Sequence, residues 1–182
     1  MRLFTGLDLP AEVVGNLERL LQRLRPAAAI QWSAPSNLHI TTKFIGEWPE
    51  ERLAELTKVL GEIPLRSAIS VNIHELGFFP NVGAPRVFWC GIEAPGLAEL
   101  AAETDRAAAR LGIAAESRPF TPHLTLARIK ERLNPEPLRR AIGSLPSVQF
   151  GAFGAGSFFL YRSQLRPSGS VYTKLAEFPF SK

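Results

Sequence analysis

Cysteine is all but absent. The chain has one, Cys90, which leaves no partner for an internal disulfide. It sits in the apolar stretch Val87-Phe88-Trp89-Cys90-Gly91-Ile92, which is expected to bury it as an inert thiol, not a nucleophile. Long apolar runs are also missing. Nothing approaches the roughly 20 residues needed to span a bilayer, so no membrane partner is expected. The start, Met1-Arg2-Leu3-Phe4-Thr5-Gly6-Leu7-Asp8, lacks the apolar core of a secretory leader and meets an acid early, so a cytoplasmic location is expected. Neither GxxxxGKS/T nor GxGxxG occurs, which argues against nucleotide-driven phosphoryl transfer. Histidines number only three, and no His, Cys and carboxylate set has the close spacing of a zinc or iron site. No metal and no cofactor is expected. There is no basic tail or long basic run, so extensive duplex binding through many phosphates is not indicated. The net charge of +4 agrees with an anionic ligand.

The bulk composition is that of a soluble globular chain, 46% hydrophobic and 21% charged. Its length suits a single domain spanning 1–182 with a substantial core.

Two of the three histidines stand in the same short motif, His39-Ile40-Thr41-Thr42 and His123-Leu124-Thr125-Leu126. Each reads as strand, and in a strand residues i and i+2 share a face. Each copy therefore puts one imidazole and one hydroxyl on one side. Around the first copy, Asn37, His39, Thr41 and Lys43 form a polar row, and Leu38, Ile40 and Phe44 an apolar one. A lone His-x-Thr is a weak signal; its doubling is a strong one. His74 has no such twin and is expected to be a surface or internally satisfied histidine.

The flanks repeat as well. Phe4-Thr5-Gly6-Leu7-Asp8-Leu9-Pro10 matches Trp89-Cys90-Gly91-Ile92-Glu93-Ala94-Pro95 in type. A helix follows each: Val13, Leu17, Leu20, Leu21 and Leu24 recur at helical spacing, as do Leu97, Leu100, Ala101, Ala108 and Leu111. A loop then leads to the histidine, through Pro35-Ser36-Asn37-Leu38 or Pro119-Phe120-Thr121-Pro122. Two such units predict a two-lobed domain with an approximate two-fold axis, the two motifs meeting at that axis. Elsewhere the pattern predicts helices over Glu50 to Leu60 and Pro135 to Ile142, strands over Ile69 to Ile73 and Arg86 to Ile92, and a hairpin of Ser157 to Leu165 with Val171 to Phe178.

Two imidazoles facing one cleft supply a base and an acid near neutral pH. Two hydroxyls beside them supply donors for phosphoryl oxygens, and Lys43, Arg128 or Lys130 further positive charge. This set suits metal-free, in-line cleavage of a phosphodiester.

The chain resembles the two-histidine (2H) phosphoesterases, specifically the bacterial LigT-like RNA 2′,3′-cyclic phosphodiesterases, historically called 2′-5′ RNA ligases. The resemblance runs over essentially the whole chain. It rests on Phe4-Thr5-Gly6-Leu7, on Trp32 with Pro35 to Gly46, on Pro122-His123-Leu124-Thr125-Leu126-Ala127-Arg128, and on Leu160-Tyr161-Arg162-Ser163-Gln164-Leu165 with Gly169, Tyr172 and Leu175. It implies an α+β, bilobal LigT-like fold, with two pseudo-symmetric lobes of antiparallel sheet plus helices around a central cleft. It also implies His39 as proton donor to the leaving oxygen, His123 as the acceptor that activates water, and Thr41 and Thr125 as phosphate ligands. The fifth residue after each histidine, Phe44 and Arg128, often faces the site in this family, to stack on a base or bind phosphate. Simple strand parity points both the other way, so a bulge or strand end after each threonine is required. Thr42 stands where the family commonly has an apolar residue, on the core side.

The implied substrate is RNA with 2′,3′-cyclic phosphate termini or small cyclic nucleotides, opened to a 2′-phosphomonoester by a monomer. ATP-independent 2′-5′ ligation would use the same site and transition state, and the sequence does not separate the two. A non-catalytic RNA-end-binding module is the third reading; matched histidines argue against it, since binding alone needs no acid and base.

Overall fold

The computed structural model describes residues 1–181. The elements run β1 (Arg2–Leu7), α1 (Ala11–Leu24), β2 (Gln31–Trp32), β3 (Ile40–Glu47), α2 (Leu53–Gly61), β4 (Ile69–Phe79), β5 (Val87–Glu93), α3 (Leu97–Ala109), β6 (His123–Arg128), α4 (Glu136–Gly143), β7 (Gln149–Ala155), β8 (Ser157–Arg166) and β9 (Gly169–Pro179). The strands form two antiparallel sheets, β3-β1-β8-β9 and β2-β6-β5-β4-β7. The fold is α+β and two-lobed.

The sheet orders carry the repeat seen in the sequence. β1 and β5, which hold the matching Phe4 to Leu7 and Trp89 to Ile92 stretches, each pair on one side with a His-x-Thr strand, β3 or β6. On the other side each pairs with a strand of a further antiparallel pair, the hairpin β8–β9 or the sequence-distant β4 and β7. The helices exchange between lobes. α1 leaves β1 but packs on β7 and α4, against the second sheet. α3 leaves β5 but packs on β3 and α2, against the first. The exchange ties the lobes through one buried cluster in which Leu3, Leu7 and Ile40 of the first sheet join Ile73, Phe88, Cys90 and Leu124 of the second and Leu17 and Leu21 of α1. Cys90 is fully buried there, and burial raises its thiol pKa.

Local chemistry sets the helices. α1 starts after Pro10, carries Glu12 in its first turn, and buries Val13, Leu17, Leu20, Leu21 and Leu24. α3 starts after Gly96, at φ 93°, and its buried Thr104 is satisfied by donating to the Leu100 carbonyl at 2.7 Å. The expected Glu50 to Leu60 helix opens with one turn of 3₁₀ over Glu50–Arg52 before α2. β4 runs past Ile73 to Phe79 through an irregularity at Glu75, φ 68°. Two strands lie outside the pattern expected from the sequence, β2 and β7. The first has only two residues; the second, Gln-Phe-Gly-Ala-Phe-Gly-Ala, reads poorly as strand because of its glycines. Among the described residues no helix is long and apolar enough to cross a membrane.

Gly6 fixes the position of the first histidine strand. A Cβ there would lie 2.5 Å from the Ile40 carbonyl oxygen, next to His39. Gly6→Ala is expected to cost about 1–3 kcal/mol by overpacking and to lower activity by pushing β3 away. Gly15→Ala, whose nearest neighbour would be the Arg19 side chain at 3.7 Å, is expected to stabilise α1 by about 0.5–1 kcal/mol. Denaturant midpoints of the two variants moving in the same direction would contradict this.

Candidate active site

Each His-x-Thr strand breaks its ladder directly after the threonine. Along β3, Thr41 pairs with Gly6 and Lys43 with Thr5, so Thr42 is an extra residue. Along β6, Thr125 pairs with Trp89 and Ala127 with Phe88, so Leu126 is extra. A one-residue bulge reverses the alternation of side chains beyond it. Phe44 therefore returns to the His39 and Thr41 face, where it is 61% exposed. Arg128 likewise emerges exposed while Leu126 and Ala127 are both buried.

The same bulge corrects the expected polar row. Lys43 does not line the cleft. It is turned inward, 7% exposed, with its ammonium 2.5 Å from Asp105 of α3 and donating to the Ala114 carbonyl at 2.9 Å. Burial works to raise the Asp105 carboxyl pKa, but the Lys43 hydrogen bond, the Glu116 amide and nearby charge together bring it below the usual value. Thr42, also buried, is satisfied by a 2.7 Å hydroxyl–hydroxyl hydrogen bond with Thr5. Lys130 lies exposed beyond the end of β6.

The two imidazoles are held alike. His39 Nδ1 donates to the Asn37 carbonyl at 2.6 Å, and His123 Nδ1 donates to the Thr121 carbonyl at 2.8 Å. In both, the carbonyl two residues back fixes the proton on Nδ1, so Nε2 is left as the reactive nitrogen. In the neutral His39 ring, Nε2 accepts from the Thr41 hydroxyl at 2.9 Å.

Their surroundings differ. His39 packs on Phe4, with ring centroids 4.7 Å apart, and meets Tyr172 edge-on at 5.1 Å. His123 meets Phe79 edge-on at 5.1 Å, and Phe79 in turn packs on Trp89. Burial holds the His39 pKa below its ordinary 6.5, the charges of Arg128 and His123 lower it further, and the Asn37 carbonyl and the Asp8 carboxylate act the other way. Arg128 and His123 are thus close enough across the cleft to bear on His39, and β3 and β6 are in contact. His74 is elsewhere, its Nε2 3.2 Å from the exposed Glu93 carboxylate. Among the described residues, no three or more His, Cys, Asp or Glu side chains are grouped to hold a metal ion.

The aromatic side chains around the histidines, Phe4, Tyr172 and Phe79, belong to no motif that assigns them a role from sequence. Phe4 and Trp89 stand two residues before Gly6 and Gly91, on the same strand face; that spacing was the available signal.

The family model LigT like Phosphoesterase matches the chain twice, over residues 7–89 and 92–172, each match holding one His-x-Thr copy. The chain belongs to the LigT-like phosphoesterases. It is 34% identical to an RNA 2′,3′-cyclic phosphodiesterase of Methanocaldococcus jannaschii, over 97% of this chain and 99% of that one. It is 36% identical to the protein of that name from Thermus thermophilus, over 98% and 89% of the two chains. Among solved structures, one of a T. thermophilus protein superposes with a TM-score of 0.83 at 34% identity, covering 99% of this chain and 98% of the other. E. coli LigT complexed with 3′-AMP superposes with a TM-score of 0.81 at 29% identity, covering 100% and 98%.

For this LigT-like chain, the His39 ring is expected to titrate below 6.5 in the free protein when its Cε1 proton is followed by NMR. Arg128→Gln removes a repelling charge and is expected to move that titration upward. An unchanged His39 titration in the variant would detach the guanidinium from this site.

Proposed function

We propose that this LigT-like phosphoesterase hydrolyses 2′,3′-cyclic phosphate ends of RNA to 2′-phosphomonoesters by paired histidine acid–base catalysis. The observation that carries the reading is the pair of imidazoles with Nδ1 locked on a backbone carbonyl, each followed on its strand face by a threonine hydroxyl. The relatives' name, RNA 2′,3′-cyclic phosphodiesterase, supports the same reading.

His123 Nε2 takes a proton from water as the water oxygen attacks phosphorus. The bond from phosphorus to the ribose 3′ oxygen breaks, and protonated His39 gives its Nε2 proton to that oxygen. One proton enters at His123 and one leaves at His39, so exchange with solvent resets the pair. Thr41 and Thr125 donate to the non-bridging oxygens, Arg128 adds positive charge, and Phe44 offers a face for a base.

The Thr41–His39 contact links binding to protonation. While His39 is neutral, the Thr41 hydroxyl proton is committed to Nε2. Once His39 is charged, Nε2 carries its own proton and the hydroxyl proton is free for a phosphoryl oxygen. A bound anion also offsets the Arg128 charge that disfavours the imidazolium. Substrate therefore promotes the acid form that the reaction needs.

Hydrolysis of a nucleoside 2′,3′-cyclic phosphate is expected to proceed undiminished in EDTA. His39→Ala and His123→Ala are each expected to lose about 10²–10⁴-fold, while His74→Ala stays near the parent rate. Loss of activity in EDTA with recovery on adding a divalent ion would sink the reading.

Thr41→Val and Thr125→Val keep the β-branched shape and remove one donor to a charged group. Each is expected to lower kcat/KM about ten- to a hundred-fold with little change in stability. A loss confined to the unfolding midpoint would assign the hydroxyls to the fold instead.

A further inference from the structure

We infer that a recess lined in part by His39 is a subsite for the nucleotide 5′ to the cyclic phosphate, recognised through its ribose 2′-hydroxyl. The recess has a volume of about 410 Å³ and is lined by Asp8, Ser36, Tyr161, Tyr172 and Lys174 beside His39. That falls within the roughly 300–1,000 Å³ of sites that hold compact organic ligands.

The Tyr161 hydroxyl is the feature that calls for a ligand. Tyr161 is only 5% exposed, and its hydroxyl is buried with no hydrogen-bond partner among the described residues. An unmade bond on such a group is costly, and each case in a folded protein needs a reason. The ring cannot readily swing to find a partner, because it is stacked on Phe4 with centroids 4.9 Å apart and planes 9° from parallel. Asp8 lines the same recess as Tyr161 and His39. Asp8 is ion-paired with Lys174, whose ammonium also sits 4.3 Å over the Phe159 ring.

These groups fit a hydroxyl better than an anion or a cation. The carboxylate only accepts, the ammonium only donates, and the phenol does either. A ribose 2′-hydroxyl, both donor and acceptor, can give its proton to Asp8 while accepting from Tyr161. It is also the group by which a protein tells RNA from DNA at one position.

The direction of the strand rests on the proposed phosphodiesterase roles. If His39 protonates the 3′ oxygen, the terminal ribose lies on the His39 side of phosphorus, and its 5′ carbon leads onward on that side. The preceding nucleotide is then delivered to the recess. A second recess of about 260 Å³ shares Asp8 with the first and is bounded by Pro10, Phe153 and Phe159.

The test compares three substrates: a nucleoside 2′,3′-cyclic phosphate, a diribonucleotide ending in 2′,3′-cyclic phosphate, and the same dinucleotide with 2′-deoxyribose in its 5′ unit. The diribonucleotide is expected to exceed both others in kcat/KM by about ten-fold, the worth of one well-made hydrogen bond to a charged network. Tyr161→Phe, which keeps the stacked ring, is expected to bring it down to the deoxy level and leave mononucleotide turnover and the unfolding midpoint near the parent values. Equal kcat/KM for the ribo and deoxy dinucleotides in the parent protein overturns the subsite. So does a Tyr161→Phe variant that slows all three substrates equally, which would mark a role in supporting His39. Mononucleotide hydrolysis would survive either result. Hydrolysis of none of the three overturns the phosphodiesterase reading, and the subsite with it.

Discussion

One extra residue in each histidine strand governs the cleft. Without the bulge at Thr42, strict alternation would bury Phe44 and leave Lys43 beside Thr41. With it, Thr41 and Phe44 of β3 join His39, just before the strand, in facing the cleft, and β6, bulged at Leu126, shows His123, Thr125 and Arg128. The cost falls on the core side, which must accept two successive residues. In β6 these are Leu126 and Ala127, both fully buried and apolar. In β3 they are Thr42 and Lys43, and burial of such groups is tolerable only when their polar atoms are satisfied. Thr5 satisfies the one, and Asp105 with the Ala114 carbonyl the other.

The Lys43–Asp105 pair also shows how the lobes are held in register. Asp105 belongs to α3, which follows β5 of the second sheet but packs on β3 of the first. The pair therefore joins the first histidine strand to chain from the second repeat. The exchange of α1 and α3 means that neither half can move its histidine without disturbing a helix contributed by the other. Two separately folded lobes would set the spacing of the imidazoles through a linker. Here a shared apolar cluster sets it, and such clusters resist gradual deformation.

Much of this was legible in the sequence because it depends on local chemistry. The α1 stripe from Val13 to Leu24, the paired Gly6 and Gly91 stretches and the doubled His-x-Thr all follow from short-range periodicity. The bulges were not, because register belongs to a pair of strands. The family resemblance required them at Phe44 and Arg128, while parity alone denied them. Lys43 was misplaced for the same reason: its acidic partner lies in a helix far along the chain. β7 was hidden by glycines within a strand whose value lies in receiving α1. The lock on each Nδ1 could have been sought at the residue two before each histidine, but only the folded backbone turns the Asn37 and Thr121 carbonyls toward the rings.

The repeat is symmetric in backbone and asymmetric in the groups packed around its two rings, and the asymmetry suits paired acid and base chemistry. Two imidazoles in matching surroundings would titrate together, whereas the reaction needs one charged and one neutral; environments that differ separate such roles. Burial and neighbouring positive charge make His39, between Phe4 and Tyr172, a poorer base in the free protein. A group of lowered pKa gives up its proton readily, which favours donation to a leaving oxygen, but it must first be charged. In the proposed mechanism the phosphate itself supplies the missing condition, by placing negative charge among Arg128, His123 and His39. The acid is then armed only in the complex, and a free enzyme with a neutral, Thr41-capped His39 is the resting state that this arrangement requires.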